Sequence, residues 1–252
     1  MTHTAEIQLR AKCVLLDIEG TVSDVRFVHD VMFPYARCGM VDFLETNWHL
    51  HSVQQSIEQV AADAEFGNAE AWLGKNWRNN AGDACVILHQ HLEGLMENDS
   101  KSTGLKQLQG MVWQKGFESG VLRAKLFSDV VPALQRWRDS GLDIRIFSSG
   151  SVLAQKLFFQ HTTEGNLLSF FSAHYDTTIG SKKERWSFEH IASDCHLDPA
   201  DIVFVTDVHS EILAAELAGI QAVASVRPNN LPLPTDFTGL AVTSFDQLAI
   251  AR

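Results

Sequence analysis

The sequence predicts an α/β protein with a Rossmann-like parallel sheet, helices on both faces of the sheet, and an inserted helical cap. The first observation is an apolar run over 11–16 that ends in a polar turn, which is typical of a buried strand. The second is the stretch 25–125, where helical spacing dominates and strand patterns are missing. The third is the strand–helix alternation over 126–252, which indicates parallel strands covered on both faces.

The alternation after residue 125 predicts each element in turn. The predicted helices cover 129–139, 151–160, 184–195 and 209–218, and the predicted strands cover 142–147, 173–176, 201–206 and 221–226. Ser244 has a side chain suited to a helix N-cap, which predicts a last helix. In the cap, helical spacing covers 52–65, 84–97 and 105–125.

The strand over 11–16 must join the sheet formed by the later strands. The α/β core is therefore expected to be discontinuous, comprising 1–24 and 126–252, with the helical cap 25–125 inserted after its first strand.

Composition excludes several classes of function. The 252 residues carry a net charge of −11, from 31 acidic and 20 basic residues, which argues against a nucleic-acid surface. The first ten residues lack the apolar region of a secretory signal, and no window is long and apolar enough to span a membrane. The four cysteines form no CxxC pair and fit a reducing compartment. We expect a cytoplasmic protein and, since no interface pattern is visible, a monomer.

Three polar segments directly follow predicted strands: Asp17-Ile18-Glu19-Gly20-Thr21, Ser148-Ser149-Gly150 and Thr206-Asp207. The carboxyl ends of parallel strands lie along one edge of a sheet, where ligands bind, so these segments should converge. Lys182, in the loop after the strand near 173–176, can join them. Each segment alone has a plainer interpretation, as a turn, a helix N-cap or a solvated loop charge. Their joint occurrence in this order favours a functional site.

The residue types in these segments suit phosphoryl transfer. Two carboxylates at one strand edge, such as Asp17 and Asp207, repel each other unless a cation or a proton separates them, and Mg²⁺ prefers oxygen ligands. An ionised Asp is a competent nucleophile toward phosphorus once Mg²⁺ and Lys182 offset the phosphate charge. Ser148 and the helix that follows it can donate to phosphate oxygens. The expected partner is therefore a small-molecule phosphate ester.

The order of these motifs resembles that of the haloacid dehalogenase superfamily, and implies its HAD-like core fold. The superfamily usually has Asp two places after the first Asp, whereas this chain has Glu19. The segment 17–21, Asp-Ile-Glu-Gly-Thr, resembles the opening motif of the enolase-phosphatase E1 family of methionine salvage. Other segments similar to that family are Phe27-Val28-His29-Asp30, Phe33-Pro34-Tyr35-Ala36, Leu105-Lys106-Gln107-Leu108-Gln109-Gly110, Asp129-Val130-Val131-Pro132-Ala133, Ser148-Ser149-Gly150-Ser151 and Ser225-Val226-Arg227-Pro228. The chain departs from the family at Val22, where a Thr is typical, and at Ser23-Asp24, where Thr-Pro is commoner.

The resemblance implies a role for each residue that matches a motif. Asp17 would be the nucleophile and a magnesium ligand, and Asp207 a second carboxylate ligand. Glu19 would offer its main-chain carbonyl to the metal and move protons with its side chain. Ser148 and Ser149 would hold the phosphate.

Lys182, in the same resemblance, would neutralise both the phosphate and the nucleophile. Glu211, one helical turn after Asp207, either orients Lys182 or only favours a helix N-terminus.

The resemblance also implies two reactions in one site. A 2,3-diketo-5-methylthiopentyl-1-phosphate would be enolised and then dephosphorylated to 1,2-dihydroxy-3-keto-5-methylthiopentene, an acireductone. Which group abstracts the carbon-bound proton stays open, with Glu19 a candidate. The alternatives are a phosphatase of another small phosphomonoester and a non-catalytic phospho-binding module, which the complete residue set disfavours. A dehalogenase would need neither the metal ligands nor Glu19.

Overall fold

The computed structural model describes residues 6–98, 100 and 102–252. The chain divides into two compact units. One comprises the chain up to Val28 together with Arg123–Arg252, and the other comprises His29–Leu122. Within the described residues, no helix combines the length and apolar character needed to cross a membrane.

The first unit is built on a parallel sheet. Its strands are β1 (Ile7–Arg10), β2 (Cys13–Leu16), β3 (Asp143–Phe147), β4 (Ala173–Tyr175), β5 (Ile202–Thr206), β6 (Gln221–Ser225), β7 (Leu240–Val242) and β8 (Leu248–Ala251). Six strands form one sheet in the order β4-β3-β2-β5-β6-β7, and every adjacent pair is parallel. β1 and β8 pair separately, also in parallel.

Nine α-helices are described, five in the second unit and four in the first. They are α1 (Phe33–Asn47), α2 (His51–Asp63), α3 (Ala69–Leu73), α4 (Gly82–Glu97), α5 (Thr103–Glu118), α6 (Val130–Asp139), α7 (Val152–Gln160), α8 (Arg185–Cys195) and α9 (His209–Leu217). The first five lie in the second unit, which has no described strand. The predicted α/β class with helices and a parallel sheet is confirmed.

The central strand β2 is buried along its whole length. Cys13 and Leu15 lie in a cluster with Phe204 of β5 and with buried residues of α8 and α9, whereas Val14 and Leu16 alternate to the opposite face of the sheet and are also buried. Burial on both faces explains why the strand reads as a continuous apolar run.

The second unit is held by contacts between its helices. Nine residues of α5 are buried, and the indole Nε1 of Trp113 donates a hydrogen bond to the carbonyl oxygen of Met32 at 2.7 Å. At Gly104 a Cβ atom would come within 2.5 Å of the main-chain nitrogen of Val60, so only glycine permits this approach of α5 to α2.

Two predictions about element ends are wrong. The helix predicted after Ser244 is a single 3₁₀ turn, Phe245–Gln247, because a capping box closes on Gln247 and the chain then enters β8. The helical spacing that ran to residue 125 ends at Glu118, since Gly120 adopts a left-handed φ of +77°.

Candidate active site

Polar side chains follow three adjacent strands at the carboxyl edge of the sheet. Asp17 comes directly after β2, Ser148 after β3 and Asp207 after β5. β2 lies between β3 and β5. The chain continues from β2 to β3 and β4 on one side of the sheet, and then to β5, β6 and β7 on the other side. The site therefore occupies the switch point of strand order, where open parallel sheets bind ligands.

Lys182 joins these residues from the loop between β4 and α8. Its ammonium Nζ lies 2.7 Å from Asp17 Oδ1 and 2.8 Å from Glu211 Oε2. The side chain is only 4% exposed, and its Nζ also lies over the rings of Phe147 and Phe204, at 5.9 and 5.7 Å from their centroids. Lys182 is therefore a buried structural charge of the site, and the solvated-loop interpretation is wrong.

Glu211, in the first turn of α9, is 6% exposed and contacts Lys182 directly. Glu211 could orient Lys182 or only favour a helix N-terminus, and the structure shows the contact with the Lys182 ammonium that the first role requires.

Thr206, the last residue of β5, connects the same carboxylates. Its hydroxyl lies 2.7 Å from Glu211 Oε2 and 3.2 Å from Asp17 Oδ2, and it accepts a hydrogen bond from the main-chain nitrogen of Val208 at 3.2 Å. A hydroxyl has one proton to donate, so the shorter contact to Glu211 leaves Asp17 Oδ2 the less strongly held oxygen. Sequence reasoning gave Thr206 no role of its own; its only signal was its place immediately before Asp207.

Glu19 is partly buried and accepts a hydrogen bond from the hydroxyl of Ser148 at 3.1 Å. The same hydroxyl oxygen accepts from the main-chain nitrogen of Gly150 at 3.2 Å, which fixes Ser148 at the entry to α7. Ser148 is fully buried, whereas the neighbouring Ser149 is exposed. The structure thus pairs Glu19 with Ser148 and leaves Ser149 on the surface beside them.

Gly20 shapes the turn after the nucleophile candidate. Its φ is +67°, and a Cβ atom would lie 2.4 Å from Asp207 Oδ2 and 2.7 Å from Asn230 Oδ1. No side chain fits there without moving one of these oxygens. Glycine is therefore required both for the backbone conformation and for the approach of Asp207.

The loop after β6 holds this turn in place. Asn230 Nδ2 donates to the carbonyl oxygen of Gly20 at 2.8 Å, and Ser225 Oγ donates to the same oxygen at 3.1 Å. Sequence reasoning missed Asn230, because the segment similar to the known family was recognised only as far as Pro228.

The two departures from the family pattern have structural partners. Val22 is fully buried, and its carbonyl oxygen accepts from the main-chain nitrogen of Phe127 at 3.0 Å. Asp24 accepts from the main-chain nitrogen of Arg26 and from Asn229 Nδ2, both at 2.9 Å.

The site concentrates negative charge. The carboxyl groups of Asp17 and Glu211 contact the ammonium of Lys182, and those of Glu19 and Asp207 lie near enough for its charge to lower their pKa values in part. Burial and then the charge of Asp17 raise the pKa of Asp207 to about 7, and the same causes raise the pKa of Glu19. Burial also raises the pKa of Glu211. Burial opposes the charge of Lys182, but Asp17 and Glu211 outweigh it and raise the pKa of the ammonium.

This donor set suits a hard dication. Within the described part of the chain, no group of three or more His, Cys, Asp or Glu side chains forms a ready-made metal centre. Mg²⁺ does not need one, because it binds through one or two carboxylates and keeps several waters. The carboxylates of Asp17 and Asp207 with the main-chain carbonyl of Glu19 fit that pattern, and burial together with the charge of Asp17 raises the pKa of Asp207, the effect expected of two acidic groups placed close together.

Comparisons with known proteins agree with this geometry. A family profile described as haloacid dehalogenase-like hydrolase matches residues 11–219. The enolase-phosphatase E1 of Drosophila mojavensis is 41% identical over 230 residues, covering 91% of each chain. A probable bifunctional methylthioribulose-1-phosphate dehydratase/enolase-phosphatase E1 of Arabidopsis thaliana is also 41% identical, over 93% of this chain, which spans 47% of that longer protein. The crystal structure of the UTR4 protein of Saccharomyces cerevisiae superposes with a TM-score of 0.72 at 29% identity, covering 94% of this chain and 99% of that one.

Proposed function

The chain belongs to the haloacid dehalogenase-like hydrolases and, within them, to the enolase-phosphatase E1 family, and on that basis we propose how its site works as a magnesium-dependent enolase-phosphatase. The substrate proposed is 2,3-diketo-5-methylthiopentyl-1-phosphate, and the products are the acireductone and phosphate, in methionine salvage. The enzyme so proposed is cytoplasmic and monomeric.

One observation carries the proposal: a single buried ammonium lies between the carboxylate that follows β2 and the carboxylate of α9. Burying charges is costly unless each has a partner, so such a cluster persists only where function needs it or where it is fully paired. Among the residues that the structure describes, Lys182 is the cation in contact with Asp17 and Glu211, and with the neighbouring Asp207 the acidic groups outnumber it, which suits a metal-dependent site.

In the proposed phosphatase step, Asp17 attacks the phosphorus atom and the bond from phosphorus to the ester oxygen breaks. Asp17 Oδ1 is held by Lys182 and by the main-chain nitrogen of Ile18 at 2.8 Å, so the attacking oxygen is Oδ2, which has the weaker contact with the Thr206 hydroxyl at 3.2 Å. Lys182 offsets the charge of the phosphate, and the Ser148 hydroxyl turns its single proton from Glu19 to a phosphate oxygen when the substrate binds. Water then attacks the aspartyl-phosphate and releases phosphate.

Glu19 is proposed to move protons in both reactions. Its raised pKa lets it hold a proton for the leaving oxygen and take one back from the attacking water. Its hydrogen bond to Ser148 places the carboxyl group beside the phosphate-binding hydroxyl. When bound by Asp17, Asp207 and the Glu19 carbonyl, Mg²⁺ would supply positive charge for phosphoryl transfer and for the enolate.

The test supplies the purified protein with the diketo phosphate and Mg²⁺, and follows enol absorbance and free phosphate separately. Enol formation followed by phosphate release, both abolished by chelation, is the expected result. Release of phosphate from generic esters with no enol from the diketo compound would instead identify a phosphatase of another phosphomonoester. Binding of phosphate esters without turnover would identify a phospho-binding module.

The Asp17→Asn variant is expected to lose phosphate release by more than about 10³-fold, because the amide is not a nucleophile. Asp201→Asn is the matched control, since Asp201 also pairs with a lysine, Lys12 at 2.7 Å, but does so on the surface and before β5 instead of after it. An Asp17→Asn protein that still releases phosphate at the rate of the Asp201→Asn protein would remove Asp17 as the nucleophile.

A further inference from the structure

The side-chain amide of Asn230 has a fixed orientation. Its Nδ2 donates to two carbonyl oxygens, that of Gly20 at 2.8 Å and that of Ser225 at 3.0 Å. Turning the amide over would place its oxygen against both carbonyls, so the hydrogen bonds themselves decide which atom is nitrogen. Asn230 Oδ1 must therefore point away from them.

Asn230 Oδ1 is a buried hydrogen-bond acceptor. None of the residues that the structure describes donates a hydrogen bond to it. A buried acceptor left unpaired costs about 1–3 kcal/mol, so such an atom in a folded protein calls for a partner that the chain itself does not supply.

That acceptor lies beside the carboxylate of Asp207. The position of a Cβ atom on Gly20 would be 2.7 Å from Asn230 Oδ1 and 2.4 Å from Asp207 Oδ2, so both oxygens line the same face of the glycine. Two hydrogen-bond acceptors cannot form a hydrogen bond with each other. A group that donates protons to both, such as water held by a cation, satisfies them together.

We infer that Asn230 is a positioning residue for the divalent cation, whose amide oxygen accepts a hydrogen bond from a water in the hydration shell of the cation bound by Asp207. Mg²⁺ keeps several of its waters when it binds to proteins, and groups that orient such waters change metal affinity. This inference rests on the proposed function, since it requires that a divalent cation bind at this site.

The test measures cation affinity without substrate, by titrating the protein with Mn²⁺ and following the electron paramagnetic resonance signal of the free ion, with Mg²⁺ as competitor. Asn230→Ala is expected to weaken binding about 10- to 100-fold. Ser225→Ala is the matched control, because it removes the other hydrogen bond to the Gly20 carbonyl but leaves Asn230 Oδ1 in place. It is expected to change affinity less than about threefold.

Circular dichroism checks that both variants are folded. Parent-like affinity in Asn230→Ala, or equal weakening in Ser225→Ala, overturns the inference. Failure of the parent protein to bind Mn²⁺ overturns instead the metal-dependent function on which the inference rests.

Discussion

Replacing Gly20 with alanine has two expected effects, strain in the backbone and displacement of the Asp207 carboxylate. The left-handed φ of +67° costs a residue with a Cβ about 1–2 kcal/mol. The new methyl group would also lie 2.4 Å from Asp207 Oδ2, about 1 Å closer than atoms normally approach, so the carboxylate must move by a comparable distance. A displacement of about 1 Å can cost about 10²-fold in rate.

Gly165→Ala provides the matched control. Gly165 also has a positive φ, +91°, but nothing lies within 4 Å of the position that its Cβ would take. Gly165→Ala should lose about 1–2 kcal/mol of unfolding free energy in urea, and Gly20→Ala should lose more, because its methyl group must also displace the carboxylate of Asp207.

Only Gly20→Ala should also lose phosphate release by about 10²-fold, together with affinity for the cation. If Gly20→Ala retained the rate of Gly165→Ala, the approach of Gly20 to Asp207 would be irrelevant to catalysis, and glycine would be needed at this position for its backbone conformation alone.

Two further predictions concern stability. Burial, and then the charge of Lys156, lower the pKa of His174 to about 4, so the unfolded state takes up a proton on this histidine first as pH falls below 6.5. The contribution of His174 to the free energy of unfolding should therefore fall by about 1–2 kcal/mol between pH 7.5 and 5, and urea titrations at the two pH values should show that His174→Gln loses less stability on acidification, or gains more, than the parent protein. The buried guanidinium of Arg227 lies 2.7 Å from a carboxylate oxygen of Asp129, so Asp129→Asn removes its counter-charge and should lower the free energy of unfolding in denaturant by about 3–5 kcal/mol. Asp246→Asn, at an exposed ion pair, is the control and should lower it by less than about 1 kcal/mol. Equal losses in the two variants would show that burial of the Asp129–Arg227 pair does not decide its contribution to stability.

The sheet and the positions of the strand-end residues could be predicted because they follow from local patterns. Burial on both faces makes β2 and β5 continuous apolar runs, and a parallel sheet brings their carboxyl ends together. β1 and β7 were not predicted, because they have three or four residues and mostly partly or fully exposed side chains, so periodicity is too short to detect.

The parts of the site that sequence reasoning missed depend on contacts between distant segments. Nothing near Asn230 in the sequence indicates that its amide reaches Gly20, 210 residues earlier. The bridging position of Thr206 likewise depends on how α9 places Glu211 against β5. Such contacts arise from tertiary packing, which residue types and spacing alone do not encode.

The position of β2 in the chain has a consequence for how the protein is synthesised. The strand that precedes Asp17 leaves the ribosome early, but its partners β3 and β5 are made only after residues 143 and 202. At about 5–20 residues per second, β2 waits on the order of 10–40 s for β5 to emerge. Asp17, Lys182 and Asp207 therefore cannot meet in a nascent chain until residue 207 has been made, so a shorter chain cannot assemble the proposed site.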